Sequence, residues 1–256
     1  MIKLNEMKNI ILIGSGNVAT HLGIALRNEG YNILQVWSKQ IENAKLLADK
    51  LDCTFTNSLK DLVTADLYIT SVKDDKIAEV ISNFQNINIA HTSGSIGLGI
   101  FKSNFTNCGV FYPLQTFNKE VDITFSEIPL CIEANNPEFE KELLNIGKSL
   151  SNSAVKMNSE QRKQLHIAAV FACNFSNHMF SIAADILQKS NVDFNLLHPL
   201  IRQTIKKIEK HPPKNVQTGP AKRNDKKIIE SHLQSLEKNQ QELYKLITNS
   251  IISNND

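Results

Sequence analysis

A run of apolar residues that breaks into glycines near the N-terminus most constrains the fold of this chain. Residues 10–20 read Ile-Ile-Leu-Ile-Gly-Ser-Gly-Asn-Val-Ala-Thr. The run predicts a buried parallel strand, and Gly14-x-Gly16-x-x-Ala19 predicts a tight turn into a helix that packs closely against that strand. A helix over about residues 17–28, closed by Gly30, would direct its unpaired backbone N–H groups at the turn, where they favour a diphosphate.

A second predicted strand at residues 31–37 gives this turn the context of a dinucleotide-binding unit. The alternative is that the glycines only make a tight connection between a strand and a helix. The cofactor-binding residues predicted from the turn are Gly14, Ser15, Gly16, Asn17 and Val18.

The end of the second strand indicates which dinucleotide would bind. NAD sites place a carboxylate there for the ribose hydroxyls, but this chain has Trp37-Ser38-Lys39. Because the Ser38 hydroxyl and the Lys39 ammonium can hold a 2′-phosphate, the sequence favours NADP. Alternatively, Lys39 is a solvated loop residue and Glu42 reaches the ribose. Val72, after the fourth strand, is predicted to pack on the dinucleotide.

Strands and helices alternate as far as residue 156, and long helical patterns follow. The alternation predicts an α/β fold with a doubly wound, mostly parallel sheet, followed by an all-α domain. We expect a nucleotide-binding domain over residues 1–155 and a helical substrate or dimerisation domain over residues 156–256. The predicted long helices cover residues 159–190, 195–210 and 224–249, with a proline-rich connection at residues 211–220.

Composition indicates an ordinary globular protein with a small-molecule substrate. The 256 residues carry a net charge of +2 and are 41% hydrophobic, so no general attraction to nucleic acid or to a membrane surface is expected. The four cysteines are far apart and form no Cys-x-x-Cys pair, which predicts neither a zinc site nor a disulfide framework. No signal peptide or membrane span is expected, and a cytoplasmic location fits best.

Two loops after strands carry polar groups at the carboxyl edge of the sheet, where ligands bind in such folds. The first is His91-Thr92-Ser93-Gly94-Ser95 and the second is Tyr112-Pro113-Leu114-Gln115-Thr116-Phe117. The alternative for the first is a helix-capping turn, and a structural role for its histidine. For the second, a pocket wall is favoured over a catalyst. The substrate-binding residues predicted here are His91, Ser93, Ser95 and Gln115.

The first long helix of the second domain is apolar but carries His166, Asn174 and His178 near one stripe. Buried polar side chains must find partners or face a ligand. His166 is the predicted proton donor or acceptor, and Asn174 the residue that orients substrate or water, although both could instead be satisfied at a helix or dimer contact. Arg223 is predicted to clamp an anionic substrate or a cofactor phosphate; the alternative is a solvated helix start with an Arg–Asp pair.

Assembled, these motifs resemble the Rossmann-like proteins with a C-terminal domain of unknown function, commonly described as NADP oxidoreductases. The resemblance rests on the glycine turn, Val72-x-Asp74-Asp75-x-Ile77, the two polar loops, His166-x-Ala168-Ala169 and Thr218-Gly219-Pro220. More distantly, the layout is similar to pyrroline-5-carboxylate reductase, the beta-hydroxyacid dehydrogenases and the deazaflavin-dependent NADP reductases. The likeness implies an NADP-binding domain, an all-helical dimerising domain and an active site in the cleft between them. The catalytic lysine of the hydroxyacid dehydrogenases is absent here, with His166 in its neighbourhood and Lys163 a poor substitute.

The leading hypothesis is an NADP-dependent oxidoreductase that transfers a hydride to or from a small polar carbonyl or imine substrate and works as a homodimer through its helical domain. A non-catalytic NADP-binding sensor or scaffold is the alternative. An NAD-linked 2-hydroxyacid dehydrogenase is disfavoured by Ser38 and Lys39.

Overall fold

The computed structural model describes residues 7–101 and 105–254. The chain divides into two compact units, Met1–Asn174 and Phe175–Asp256. The predicted domain boundary between residues 155 and 156 stays a prediction. The first long helix begins just after it, and the division between the compact units falls inside the helical region that follows.

The first unit is built around one eight-stranded sheet. The strands are β1 (Asn9–Ile13), β2 (Asn32–Trp37), β3 (Thr54–Thr56), β4 (Leu67–Thr70), β5 (Ile89–His91), β6 (Cys108–Pro113), β7 (Leu130–Ala134) and β8 (Ala154–Lys156). Their order across the sheet is β3-β2-β1-β4-β5-β6-β7-β8. All neighbouring strands run parallel except β6 and β7, which are antiparallel.

Helices cover both faces of this sheet. The first unit contains α1 (Asn17–Asn28), α2 (Ile41–Leu51), α3 (Asp74–Ile81), α4 (Pro137–Leu150) and α5 (Ser159–Ala169), which continues into a π-helical turn at Val170–Phe175. The second unit contains α6 (Ser176–Lys189), α7 (His198–Lys210), α8 (Lys226–Ser235) and α9 (Lys238–Ser253). Short 3₁₀ turns lie at Leu59–Asp61, Leu98–Ile100, Phe125–Glu127, Phe194–Leu197 and Pro213–Val216.

The side chains of β1 point alternately to the two faces of the sheet, and both faces are covered by helices. Ile10 and Leu12 lie in the core shared with α1, α2 and α4, whereas Ile11 and Ile13 lie in the core shared with α3. Because successive side chains of a strand point to opposite faces, a strand that is apolar throughout must be buried on both. The predicted doubly wound α/β fold with a helical C-terminal region is confirmed.

The structure differs from the predicted elements in two places. The single helix predicted over residues 224–249 is two helices, because Glu237 and Gln240 form a capping box that starts α9 afresh. Strand β8 was not predicted; only three residues long, it carries too little alternation to be recognised, and it forms because β7 pairs with it.

The helices of the second unit bury few side chains. Within the described part of that unit, only Ala221 and Thr248 are buried, while Leu196, Leu200 and Leu246 are 71%, 64% and 69% exposed. One helix, Ser159–Lys189, is long enough to span a membrane, and its most apolar 18-residue stretch, with a mean hydropathy of 1.3, is apolar enough to do so. No such segment was predicted from the sequence. Helices of soluble proteins also reach this hydropathy.

Candidate cofactor and substrate site

The turn after β1 requires glycine at its first position. Gly14 has φ +120°, and a Cβ atom there would lie 2.3 Å from the backbone oxygen of Ser71. The Gly14 N–H donates to the Trp37 carbonyl at 2.8 Å, and the Ser71 N–H donates to the Ile13 carbonyl at 2.7 Å. Only glycine tolerates both this φ and this approach. The ends of β1, β2 and β4 therefore meet at one point of the carboxyl edge.

Gly16 has a different role, because open space surrounds it. It is the N-cap of α1, and no side chain caps the helix there. A Cβ atom at Gly16 would have no other atom within 4 Å, and the first turn contains no acidic residue. Free N–H groups, a favourable helix dipole and room for a ligand fit the diphosphate of a dinucleotide. Behind this space, Ala19 is fully buried against the core.

The remaining predicted cofactor residues lie around the same edge. Ser15 is buried, whereas Asn17 and Val18 are at least partly accessible. Ser38 is half-buried and its N–H donates to the Thr56 carbonyl at 3.2 Å. Lys39 and Glu42 are both exposed, so the alternative in which Glu42 reaches the ribose stays open. Val72 packs against the core beside α3.

The loop after β5 is held by its own side chains. His91 is fully buried, its Nδ1 accepts a hydrogen bond from the Ser93 N–H at 3.2 Å, and its ring stacks on Phe101. Burial, reinforced by the charge of Arg162, lowers the pKa of His91 to about 4, so this imidazole is neutral at physiological pH. The structure thus places His91 inside the protein, supporting the loop.

The two serines of this loop differ in how they are engaged. The Ser93 hydroxyl accepts the N–H groups of Ser95 and Ile96 at 3.2 and 3.1 Å, as in a capping turn. Ser95 is exposed, and its hydroxyl donates to the carboxylate of Asp74 at the start of α3. Ser95 and Asp74 therefore bring the loops after β4 and β5 together. The predicted substrate contacts of His91, Ser93 and Ser95 stay predictions.

A tyrosine and a histidine form a hydrogen-bonded pair beside this loop. The Tyr112 hydroxyl lies 3.0 Å from His166 Nδ1, and the two rings meet edge to face. Gly94 lies against both rings, since a Cβ atom there would be 2.6 Å from Tyr112 Cζ and 2.8 Å from His166 Nδ1. Burial raises the pKa of Tyr112 to about 12, so the phenol keeps its proton.

This pair borders a cavity of about 490 Å³ in the first unit. Its walls come from the end of β6 and from α5 with its π-helical turn, through Tyr112, Leu114, Gln115, Thr116, Leu165, His166, Ala168, Ala169, Val170, Ala172, Cys173 and Asn174. The structure thus brings together three predicted site residues, His166, Asn174 and Gln115. Tyr112 was predicted only as part of a pocket wall, and its contact with His166 was not predicted. The available signal was a tyrosine at the carboxyl end of a central strand.

The loop after β6 is fastened to the helix that carries the glycine turn. The Asn17 amide donates to the Phe117 carbonyl at 2.9 Å, and His21 Nε2 lies 2.8 Å from the Asn118 carbonyl. The His21 ring also packs on Phe117, with 5.4 Å between ring centroids. The Asn17 side-chain amide therefore binds the loop that bears Gln115.

Two residues singled out in the sequence lie in the second unit. Arg223 is exposed, in a turn where its N–H donates to the Gly219 carbonyl at 3.3 Å. His178 lines a cavity of about 630 Å³ together with Asp185 and Lys189. The role predicted for Arg223 stays a prediction. Among residues 7–101 and 105–254, no cluster of three or more histidine, cysteine or acidic side chains is arranged to hold a metal ion.

Family models match both parts of the chain. Residues 9–92 match the family described as NADP oxidoreductase coenzyme F420-dependent. Residues 128–251 match DUF2520, a domain of unknown function. No protein with a curated description matches the sequence.

Solved structures match nearly the whole length of the chain. A putative NADP oxidoreductase from Bacteroides fragilis is 41% identical, with a TM-score of 0.90 over 97% of this chain and 99% of its own. A pyrroline-5-carboxylate reductase from Streptococcus pyogenes is 14% identical, with a TM-score of 0.62 over 96% and 98% of the two chains. An imine reductase from Myxococcus stipitatus in complex with NADP⁺ is also 14% identical, with a TM-score of 0.64 over 96% and 92%. The last two show likeness of fold.

The Bacteroides fragilis protein matches this chain over nearly its whole length at an identity that establishes common membership. The glycine turn described above has the geometry that a dinucleotide needs. The chain therefore belongs to the family of NADP oxidoreductases, with NADP as its cofactor, and carries the domain DUF2520 over residues 128–251.

Proposed function

We propose that this protein transfers a hydride between NADP(H) and a small polar substrate with a C=N or C=O bond, with imines as the preferred class. The observation that carries the proposal is the hydrogen-bonded pair of Tyr112 and His166 on the wall of a cavity. The fold relatives named for their action on imines and pyrroline-5-carboxylate support the choice of imines.

The chemistry requires a proton source beside the hydride. NADPH, when bound, supplies the hydride to the substrate carbon, and the two electrons of the C=N π bond move to nitrogen, which must gain a proton. The Tyr112 phenol keeps its proton, and its oxygen can accept a hydrogen bond from Nδ1–H of protonated His166, which holds the ring in one orientation. The imidazolium of His166 would then deliver its Nε2 proton to the substrate nitrogen and become a neutral imidazole.

The other side chains have positioning roles in this proposal. Asn174 and Gln115 line the same cavity as His166 and can orient a polar substrate by donating and accepting hydrogen bonds. Ser93 and Ser95 would bind the substrate from the loop after β5. Ser38 and Lys39 would hold the 2′-phosphate of NADP, and Arg223 an anionic group of the substrate.

We also propose that the protein is a cytoplasmic homodimer joined through its helical domain. Large apolar side chains of the described second unit are exposed, among them Leu196, Leu200 and Leu246. Large apolar side chains that lie together on a surface mark an interface, and the exposed ones of this unit favour one there. We expect a second copy of the same chain to bury these side chains, because most oligomers are symmetric assemblies of identical subunits.

The test begins with the cofactor. Fluorescence titration should show that NADPH binds more tightly than NADH, and that Lys39→Ala reduces this preference about tenfold, as expected for loss of one charged contact. Lys45→Ala, an exposed lysine on α2, is the matched control and should change nothing. Equal binding of both nucleotides by wild-type protein would overturn the assignment of Ser38 and Lys39.

Turnover is tested next with NADPH and a panel of small cyclic imines and matched ketones. Imine reduction that falls about 10²- to 10⁴-fold in His166→Asn would support the assigned role. Tyr112→Phe should cause a smaller loss, because it removes only the partner of the imidazole. Wild-type rates in His166→Asn would exclude it as the proton donor. Tight NADPH binding without turnover on any substrate would favour the non-catalytic sensor.

A further inference from the structure

A buried ionic cluster lies close to the proposed catalytic pair and has no part in the function argued so far. Arg162 is fully buried, and its guanidinium forms an ion pair with Glu133, whose side chain is 14% exposed. Removing two charges from water is costly, and a buried ion pair is seldom the most stabilising choice for a core position. A role in fixing geometry is the best supported reason for keeping one.

The cluster joins a strand to a helix. Glu133 lies on β7, and its carboxylate accepts the N–H of Ser159 at 3.0 Å and the hydroxyl of Ser159 at 2.7 Å. Ser159 is the first residue of α5, and Arg162 lies in the same turn. Both ends of the ion pair therefore hold the start of α5 against the sheet.

The cluster also holds the loop that follows Ser95. Arg162 Nη2 donates to the Ile96 carbonyl at 2.7 Å, and the Leu98 N–H donates to the Ser159 hydroxyl at 3.1 Å. At Gly97, a Cβ atom would lie 3.0 Å from that hydroxyl oxygen. The loop that carries Gly94 is thus tied to the same cluster.

Sheet register places Tyr112 on the same face as the cluster. Glu133 pairs with Val110 across the antiparallel strands, and Tyr112 pairs with Cys131. Paired residues share a face and side chains alternate along a strand, so Glu133 and Tyr112 lie on one side of the sheet. His166 follows Arg162 by one helical turn, which places both on one side of α5.

We propose that Glu133, Ser159 and Arg162 form a positioning cluster that sets the separation of Tyr112 and His166. The inference rests on the proposed function, because the value of that separation lies in proton delivery by His166. Tyr112 lies on the sheet, His166 lies on α5, and Gly94 packs against both rings. The cluster connects the sheet, α5 and the loop that carries Gly94 through the carboxylate of Glu133.

The first experiment uses NMR and needs no substrate. Long-range ¹H–¹⁵N spectra of the histidine rings report the tautomer of His166 and its hydrogen bond at Nδ1, and His166→Asn assigns its signals. Ser159→Ala removes the hydroxyl contacts without leaving a buried charge alone, and Arg162→Met with Glu133→Gln removes both charges together. In each variant, the His166 signals should move towards those of Tyr112→Phe, in which the bond is absent.

The matched control is Arg27→Met. Arg27 also pairs with a carboxylate, that of Asp52, and donates to the Lys50 carbonyl, but it lies on the exposed side of α1. It should leave the His166 signals and the activity unchanged. Unchanged His166 signals in folded Ser159→Ala and Arg162→Met/Glu133→Gln would overturn the positioning role.

The kinetic experiment uses NADPH and an imine that the wild-type enzyme reduces. Arg162→Met/Glu133→Gln should lower kcat about 100-fold, the order expected when a reacting group is displaced by about 1 Å, with an unchanged dissociation constant for NADPH. When Arg162→Met/Glu133→Gln is combined with His166→Asn, kcat should fall little further than in His166→Asn alone, because both changes impair proton delivery by His166. An additive loss would indicate general damage and contradict the proposal.

The two experiments separate the inference from the function on which it rests. If the His166 signals move in the cluster variants but His166→Asn retains wild-type turnover, the proton-donor role fails while the geometric control stands. If His166→Asn is inactive and the cluster variants keep wild-type signals and rates, the positioning cluster fails alone.

Discussion

Gly94 illustrates how single residues shape this site. The missing side chain leaves room for Tyr112 Cζ and His166 Nδ1, which a Cβ atom would approach to 2.6 and 2.8 Å. These contacts are shorter than packed atoms tolerate, so both rings would have to shift.

We therefore expect Gly94→Ala to lower the free energy of unfolding by about 1–3 kcal/mol and to reduce imine turnover more than NADPH binding. Chemical denaturation and steady-state kinetics would measure the two effects. Gly99→Ala is the control, because a Cβ atom there meets nothing within 4 Å. Full activity in Gly94→Ala would show that the spacing of the pair is not critical.

His91 gives the protein a predictable response to acid. Its native pKa is about 4 against an ordinary 6.5, so between these values the unfolded chain binds the proton and the native protein does not. The unfolded protein is therefore favoured progressively by proton binding as the pH falls from 6.5 towards 4, and the free energy of unfolding decreases over this range. Above pH 6.5 this loss is absent.

When the pH is lowered from 7.5 to 4.5, the free energy of unfolding should fall by about 2–3 kcal/mol less in His91→Gln than in wild type, because glutamine does not titrate. Urea denaturation at both pH values measures this difference, and His211→Gln, an exposed histidine, serves as the control. Parallel loss of stability in wild type and His91→Gln would contradict the low pKa.

At the scale of elements, side-chain hydrogen bonds connect α1 to the loop after β6. The bonds from Asn17 to the Phe117 carbonyl and between His21 and the Asn118 carbonyl join the cofactor helix to the segment that carries Gln115. Loss of one such bond costs about 1 kcal/mol, or roughly fivefold in an equilibrium constant.

We expect His21→Ala to raise KM for the imine about fivefold, because the loop with Gln115 is less ordered, and to change NADPH affinity little. Kinetics at saturating NADPH and a separate nucleotide titration would check this. Asn28→Ala, at the other end of α1 and exposed, is the control. A change confined to NADPH affinity would show that the contact serves the cofactor alone.

At the scale of the whole molecule, the exposed apolar side chains of the helical unit predict an assembly. Leu200 is 64% exposed on α7, and Leu46 on α2 is also 64% exposed. The two leucines are equal in chemistry and exposure but lie in different units, which makes them a matched pair for a test of where the dimer forms.

Sedimentation velocity should show a dimer for wild type, and Leu200→Lys should shift it towards monomer, since a buried lysine in an apolar interface is left unpaired. Leu46→Lys should leave the dimer intact. A monomeric wild-type protein would refute the dimer. A dimer unaffected by Leu200→Lys but broken by Leu46→Lys would place the interface on the nucleotide-binding unit.

The sequence alone was enough for the α/β class, the glycine turn and the cofactor, because these depend on local requirements. Gly14 and Gly16 lie in one short turn whose spacing is visible in the sequence, and the apolar run of β1 indicates burial on both faces. The pairing of Tyr112 with His166 joins residues 54 positions apart, and the ionic cluster joins Glu133 to α5. Such contacts follow from strand register and helix packing, which no local pattern encodes, so only the tertiary structure decided them.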